Sequence, residues 1–445
     1  MKPIERIASR SLGSHWMDSR ERPPRGPKLA VRRGACLTGV PWGLSPRATG
    51  RGLALMVLVL AGGCADPVEP PEELDTRGVL TIFYNGLGGS LWHQDLYWGT
   101  DAPVDEWYGV VADPEGRVNE LLLWNNNLRG FIPPEIGNLT QLHALRLEQN
   151  RVSGWIPPEI GNLRHLRTLT LYRNRLSDSL PPEIGDLRQL QDLRLTQNQL
   201  SGRIPPEIGN LGNLRHLRLD LNELSGPIPP QIGNLVNLVG LSLYRNTLGG
   251  RIPPEIGNLV NLETLGLDQN QLTGPIPPEI GNLLKLTDLR LDQNKLTGPI
   301  PPTIGNLHTL AVMRLDSNDL SGPIPPGIGT LQNLKFVVLS QNALTGAIPP
   351  EIGNLSKLVS LVLSGNQLTG PVPPQLGNLE SLSYLYLDRN DLSGPLPREL
   401  TSLSLRGFHW FSTNLCAPTD SEFREWLESI EDLEAGADCG SPQER

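Results

Sequence analysis

Between residues 118 and 400, apolar and polar positions repeat on a 24-residue frame. Asparagine marks each copy: Asn126, Asn150, Asn174, Asn198, Asn222, Asn246, Asn270, Asn294, Asn318, Asn342, Asn366 and Asn390. Around Asn150 the chain reads Leu142-His-Ala-Leu145-Arg-Leu147-Glu-Gln-Asn150-Arg-Val152-Ser-Gly154-Trp-Ile156-Pro-Pro-Glu-Ile160-Gly-Asn-Leu163. Leu145 and Leu147 lie two apart, which on an extended strand turns both side chains to one side, the interior, with Arg146 facing water. Asn150 closes the strand; its amide can serve backbone groups where the chain turns inward, as a leucine cannot. Gly154 supplies a left-handed turn at no steric cost. Ile156 returns to the core, and Pro157-Pro158 opens a short helical turn where a missing N–H does little harm. One such unit cannot bury its apolar face alone, so neighbours must stack into a continuous parallel sheet. At about 4.8 Å per strand, its inner face is roughly 50 Å long or more.

Twelve units of the form Leu-x-x-Leu-x-Leu-x-x-Asn-x-Leu-x-Gly-x-Ile-Pro-x-x-Ile-Gly-Asn-Leu resemble the plant-type class of leucine-rich repeats, over residues 118–400. The resemblance implies an α/β repeat solenoid: a right-handed superhelix with a concave parallel β-sheet. It also implies a second short strand at Gly-Pro-Ile-Pro and mostly 3₁₀ or irregular turns on the convex side. Departures are few: Asp178 replaces the turn glycine, Asp186 and Thr330 the loop asparagine, and Val337 a core leucine. Aspartate tolerates left-handed backbone better than most residues, so Asp178 should bend the array little.

A solenoid needs ends that hide its open core. Residues 75–117 hold Val79, Leu80, Ile82 and Phe83 in an expected helix, followed by Trp92, Trp98, Trp107 and Tyr108. Trp107-Tyr-Gly-Val-Val-Ala-Asp-Pro-Glu-Gly-Arg-Val118 resembles the N-terminal cap of bacterial proteins of this class, so packing on the first repeat is the expected role of these aromatics rather than a carbohydrate platform. Residues 401–440 form the expected C-terminal cap, ahead of a tail at 441–445. There Thr419-Asp-Ser-Glu422 reads as a capping box, and Phe423, Trp426, Leu427 and Ile430 form one apolar stripe of a helix over 420–431.

The chain carries −9 overall, but residues 1–63 hold eleven Lys/Arg against three Asp/Glu, so the remainder carries −17, the difference between −9 and +8. So acidic a body is a poor nucleic-acid partner, which needs clustered positive charge. The 47 Gly and 42 Pro are regular punctuation of the repeat, not an unstructured segment. Residues 51–63 read as a basic flank and a short apolar run, the form of a secretory signal too short to span a membrane. Leu60-Ala-Gly-Gly-Cys64 resembles a bacterial lipobox, with Ala61 where leucine is usual; the resemblance implies lipidation of Cys64. Residues 1–50, Arg- and Pro-rich without apolar periodicity, read as a disordered leader or as sequence ahead of the true start, and residues 64–74 as a linker. With Cys36 removed and Cys64 acylated, Cys416 and Cys439 are the two remaining thiols, and export lets them oxidise to a disulfide. Closing that loop should stabilise by about 3 kcal/mol.

The concave face is the usual binding surface of a repeat solenoid. Its candidate partner-binding positions are Trp124, Arg146, Glu148, Tyr172, Arg173, Arg218, Asp220, Tyr244, Arg245, Arg290, Asp292, Arg314 and Asp316. Arginine and aromatic types dominate binding hot spots. Arg218/Asp220, Arg290/Asp292 and Arg314/Asp316 are expected as solvated surface ion pairs, each worth about 0–1 kcal/mol. Glu135, Glu159, Glu183, Glu207, Glu255, Glu279 and Glu351 are expected as a solubilising stripe on the convex turns. No nucleophile–base pair, HExxH or phosphate loop occurs in the repeat frame, no Cys/His spacing suits zinc, and no cofactor is implied. The expected function is non-enzymatic recognition of a protein or glycan partner, by a monomer exported to the bacterial cell envelope as an outer-membrane or surface lipoprotein, or otherwise secreted. A structural, self-associating envelope component and an inhibitor of an external enzyme are the alternatives.

Overall fold

The computed structural model of the chain describes residues 74–440. The leader, the signal segment, Cys36, Cys64, the linker as far as residue 73 and the tail at 441–445 lie outside the described residues.

Each repeat supplies one short strand to a fifteen-stranded sheet whose strand order follows the chain. The sheet starts with an antiparallel pair, Val110–Ala112 against Val118–Leu122. From there every pairing is parallel, and the frame is kept without slippage: Leu145 opposes Leu169, and Leu265 opposes Leu289. The strand leucines are fully buried and join the isoleucines and loop leucines in one continuous core. A second row of short strands runs beside it, ten from Ser225–Pro227 to Ala437–Asp438 and three at the N-terminal end. These strands lie mostly upstream of Gly-Pro-Ile-Pro, as in Gln271–Gly274 and Lys295–Gly298. The proline after the glycine has no N–H to give the ladder. On the convex side each Pro-x-Ile-Gly-x segment, such as Pro254–Asn258, is one 3₁₀ turn with proline at its start.

The asparagines are the joints of the array. Asn150 donates to the carbonyls of Leu123 and Leu147 at 2.8 and 2.9 Å, while its oxygen accepts from the N–H of Asn126 and Leu128 at 2.8 and 3.0 Å. Asn126 has no repeat before it and bonds the N–H and carbonyl of Gln94 instead, so the cap mimics a preceding repeat.

The turn glycines behave as the residue pattern suggests: Gly154 has φ 74°, and Asp178 takes φ 62° in the same place. The glycine of Ile-Gly-Asn has a separate reason to be glycine. A Cβ on Gly257 would stand 2.5 Å from the carbonyl oxygen of Glu279 on the next turn. Gly209 faces Gln231 in the same way, also at 2.5 Å. Gly257→Ala is therefore expected to force two turns apart and to destabilise by about 1–3 kcal/mol. Urea unfolding would show the loss; an unchanged midpoint would mean that the turns do not pack this closely.

At the N-terminal end, α1 (Thr76–Gly86) starts at Asp75, whose side chain accepts from the Gly78 N–H. Trp92, Trp98 and Trp107 are buried, and each indole N–H reaches a backbone carbonyl: Leu87, Tyr108 and Ala102 respectively. At the other end α2 (Ser421–Glu428) is capped by Asp420, not Thr419. The Asp420 carboxylate accepts from the Phe423 N–H and pairs with Arg398 at 2.9 Å, which ties the helix start to the preceding turn. The helix is shorter than the apolar stripe, yet Phe423, Trp426 and Ile430 are all buried. Cys416 and Cys439 are joined by a disulfide around it.

Candidate functional site

The outward side of the main sheet includes a column that holds none of the candidate positions. Residues two before the strand's central outward position also face outward: Ala144, Thr168, Asp192, His216 and Asp288. None of them was among the sequence-based candidates, although strand alternation places them on the same face as Arg146. The column matters, because it supplies ion-pair partners. Arg194 binds Asp192 at 2.7 Å and Arg290 binds Asp288 at 2.9 Å, both within one strand. The Asp192 hydrogen bond is the main reason the Arg194 guanidinium is held above its usual range.

The expected solvated ion pairs are not found as such. Asp220 and Asp292 are each only 2% exposed. Asp220 accepts from the Thr196 hydroxyl at 3.1 Å, and burial pushes its carboxyl above the usual range. Arg314 lies between Asp292 and Asp316, 3.8 and 3.7 Å away. The reason is side-chain length. Short carboxylates at the end of a strand sit against the next repeat, and long guanidinium stems lie over them. Asp268, Asp292 and Asp316 consequently form a stack on successive strands. Burial and the neighbouring Asp292 push both Asp268 and Asp316 up to about 7.

Arg173 and Arg245 are not strand positions either. They stand on the rim with φ 55° and 52°, at the residue before the ladder asparagine, where Gln149, Gln197 and Leu221 are also left-handed. Each reaches one repeat along, Arg173 to Gln197 at 3.1 Å and Arg245 to Gln269 at 2.7 Å. Tyr244 is half-buried and hydrogen-bonded to Asp220; burial first, then Asp220 and Asp268, raise its hydroxyl above the usual range. It is a brace more than a free anchor.

The accessible members of the candidate set gather on the first strands. Trp124 is 45% exposed, with the Arg146 guanidinium 5.0 Å from its ring centroid. Arg146 also binds Glu148 at 2.8 Å, and the other Glu148 oxygen accepts from the buried Thr170 hydroxyl. The Arg146 side chain is 43% exposed and that of Glu148 only 2%. Tyr172 follows, half-buried. From Phe336 to Tyr386 the face changes character, and Phe336, Val338, Val362 and Tyr386 pack on one another with almost no exposure. Two further exposed groups lie off this face: a stacked pair, Phe131 and Trp155, and a row at equivalent positions, Val236, Val260 and Leu284. Of the convex glutamates, Glu183, Glu207, Glu255, Glu279 and Glu351 are exposed and Glu135 and Glu159 are partly covered.

Among the described residues, no group of three or more His, Cys, Asp or Glu is placed to hold a metal ion, and no helix is long and apolar enough to cross a membrane.

Leucine-rich repeat profiles match residues 126–226, 332–392 and, as single repeats, 237–259, 261–283 and 285–307. Comparison with curated protein sequences finds no match. Similar solved structures include the plant peptide hormone receptor RGFR1 in complex with RGF2, 39% identical over 72% of this chain and 51% of that one, TM-score 0.70. Another is the ectodomain of the receptor kinase GASSHO1/SCHENGEN3 from Arabidopsis thaliana in complex with CASPARIAN STRIP INTEGRITY FACTOR 2, 34% identical over 71% and 41%, TM-score 0.62. A third is a leucine-rich repeat protein of Leptospira interrogans, 34% identical over 73% of this chain and 81% of that one, TM-score 0.59. The chain spans about half the length of the plant receptor structures it matches. By its repeat, its strand register and these matches, the chain belongs to the leucine-rich repeat family.

Proposed function

We propose that this chain is a non-enzymatic recognition protein that holds extended segments of a protein partner across the first strands of its concave sheet. The observation that carries this reading is the cluster of the exposed Trp124 with the half-buried Arg146 and Tyr172, in which the buried Glu148 holds Arg146 over the Trp124 ring. Side chains already fixed in place lose little freedom on binding, which favours affinity. The likeness to a plant peptide hormone receptor solved in complex with RGF2 is consistent with it. Display on a bacterial cell envelope through a lipid on Cys64 belongs to the same proposal, supported by the lipobox-like Leu60-Ala-Gly-Gly-Cys64 and the Leptospira neighbour.

Selection of displayed random peptides against the purified chain tests the reading. Trp124→Ala with Tyr172→Ala is expected to weaken binding of the selected peptides tenfold or more. Peptides that bind both forms equally, or a selection that enriches none, would end it.

A further inference from the structure

We infer that the segment held on the first strands of the concave sheet is acidic, its carboxylates meeting the guanidinium heads of Arg146, Arg194 and Arg218. This rests on the reading of that face as a peptide-binding surface. It runs against the charge of the whole chain, since residues 64–445 carry −17, the −9 of the full chain less the +8 of residues 1–63.

The reason lies in which charges reach solvent. On these strands arginine and carboxylate are present in similar number, but at different depth. Arg146 is 43% exposed over a Glu148 that is 2% exposed, and Arg194 is 35% exposed against 20% for Asp192. Asp220 is buried beside Arg218. Glu148, Asp192 and Asp220 act as braces beneath the surface; among the carboxylates of these strands Glu120 stays half-exposed, and the three guanidinium heads outnumber it where a chain approaches.

Arg194 and Arg218 are register partners on adjacent strands, so the two side chains leave the sheet one strand spacing apart. Burial first, and then the neighbouring Arg194, lower the Arg218 guanidinium from its usual range, while Asp220 and Asp192 act in the opposite direction. Arg146 gives one terminal nitrogen to Glu148, and its Nε is buried without a hydrogen-bond partner. Thr168 and Thr170, between Arg146 and Arg194, are short, and the half-buried Tyr172 stands just beyond them. A carboxylate arriving between guanidinium groups forms charge-assisted hydrogen bonds in the geometry arginine favours. The five strands from Val118–Leu122 to His216–Arg218 span about 20–25 Å, the length of roughly seven extended residues.

The test uses the purified chain and three fluorescein-labelled synthetic peptides that share alternating tyrosine and leucine, with glutamate, glutamine or lysine between them. The glutamate peptide is expected to bind at least tenfold tighter than the lysine peptide, with affinity falling as salt rises. Arg146→Gln with Arg194→Gln should reduce the glutamate peptide to the glutamine peptide's affinity, while Arg251→Gln, exposed off this face at the repeat position of Trp155, leaves it unchanged; circular dichroism verifies that each variant is folded. Lysine or glutamine peptides binding as tightly as the glutamate peptide would overturn the charge inference alone, provided Trp124→Ala still weakens them. Failure of all three peptides to bind would sink both this inference and the reading beneath it.

Discussion

Asn270→Leu is expected to destabilise the chain by about 3–5 kcal/mol, well beyond the loss of one ordinary hydrogen bond. Asn270 is 4% exposed and its side chain makes four hydrogen bonds. It donates to the carbonyls of Leu243, Leu267 and Asp268 at 3.0, 3.1 and 3.2 Å and accepts from the Leu248 N–H at 3.0 Å. Leucine has similar bulk but cannot serve any of these groups. Two of them belong to the preceding repeat, so the change strips partners from both sides of a joint. Each buried backbone group left without a partner costs about 1–3 kcal/mol. In a stacked array each repeat contacts only its neighbours, so the damage should also divide one unfolding transition into two. Urea unfolding followed by fluorescence and circular dichroism would reveal both effects. A loss under about 1 kcal/mol would show that water or backbone shifts replace the asparagine readily, and that the ladder is not what joins the repeats.

The second large effect concerns pH. Asp268 and Asp316 are pushed up to about 7, by burial first and then by the Asp292 carboxylate between them. In the unfolded chain both return to the ordinary value near 3.8. Between these limits the folded chain binds more protons than the unfolded one. Stability therefore falls as pH rises from about 4 to about 7, the opposite of a salt-bridged aspartate. A displacement of about three pH units corresponds to roughly 4 kcal/mol, which we assign to the stack as a whole because both groups respond to the same Asp292. Asp292→Asn removes the charge between them. The variant should lose less stability than the parent between pH 5 and pH 8, and should be the more stable of the two at the alkaline end by on the order of 2 kcal/mol. Thermal unfolding across that range provides the test. Parallel curves for parent and variant would mean the three carboxylates do not sense one another.

Most of the scaffold was legible in the residues because the repeat makes each position a separate, repeated test of the same physics. Leu145, Leu147 and Ile156 read as core and are buried; Gly154 reads as left-handed and is. What the residues did not disclose depends on neighbours in the stack. The residue pattern gave no reason for the glycine in Ile-Gly-Asn, whose role is to admit the carbonyl of the next turn. Arg173 and Arg245 looked like strand positions, yet their backbone is left-handed. Nothing in an arginine or glutamine side chain announces that conformation, which costs most residues about 1–2 kcal/mol. The adjoining repeat holds it in place, through bonds such as Gln269 N–H to the Asp292 carbonyl at 2.9 Å.

The candidate site divides along the same line. Its residue types and its placement on the concave sheet follow from strand alternation, and that is a local property of the chain. Which charges reach solvent is not local. Arg146 and Glu148 look equivalent in the sequence, but stacking covers the short carboxylate and leaves the long guanidinium half in water. The amino-acid order alone thus determined the repeat, its length and its core. Only the tertiary structure decided the sign of the surface those repeats present, because depth of burial is set by what the next repeat lays against each side chain.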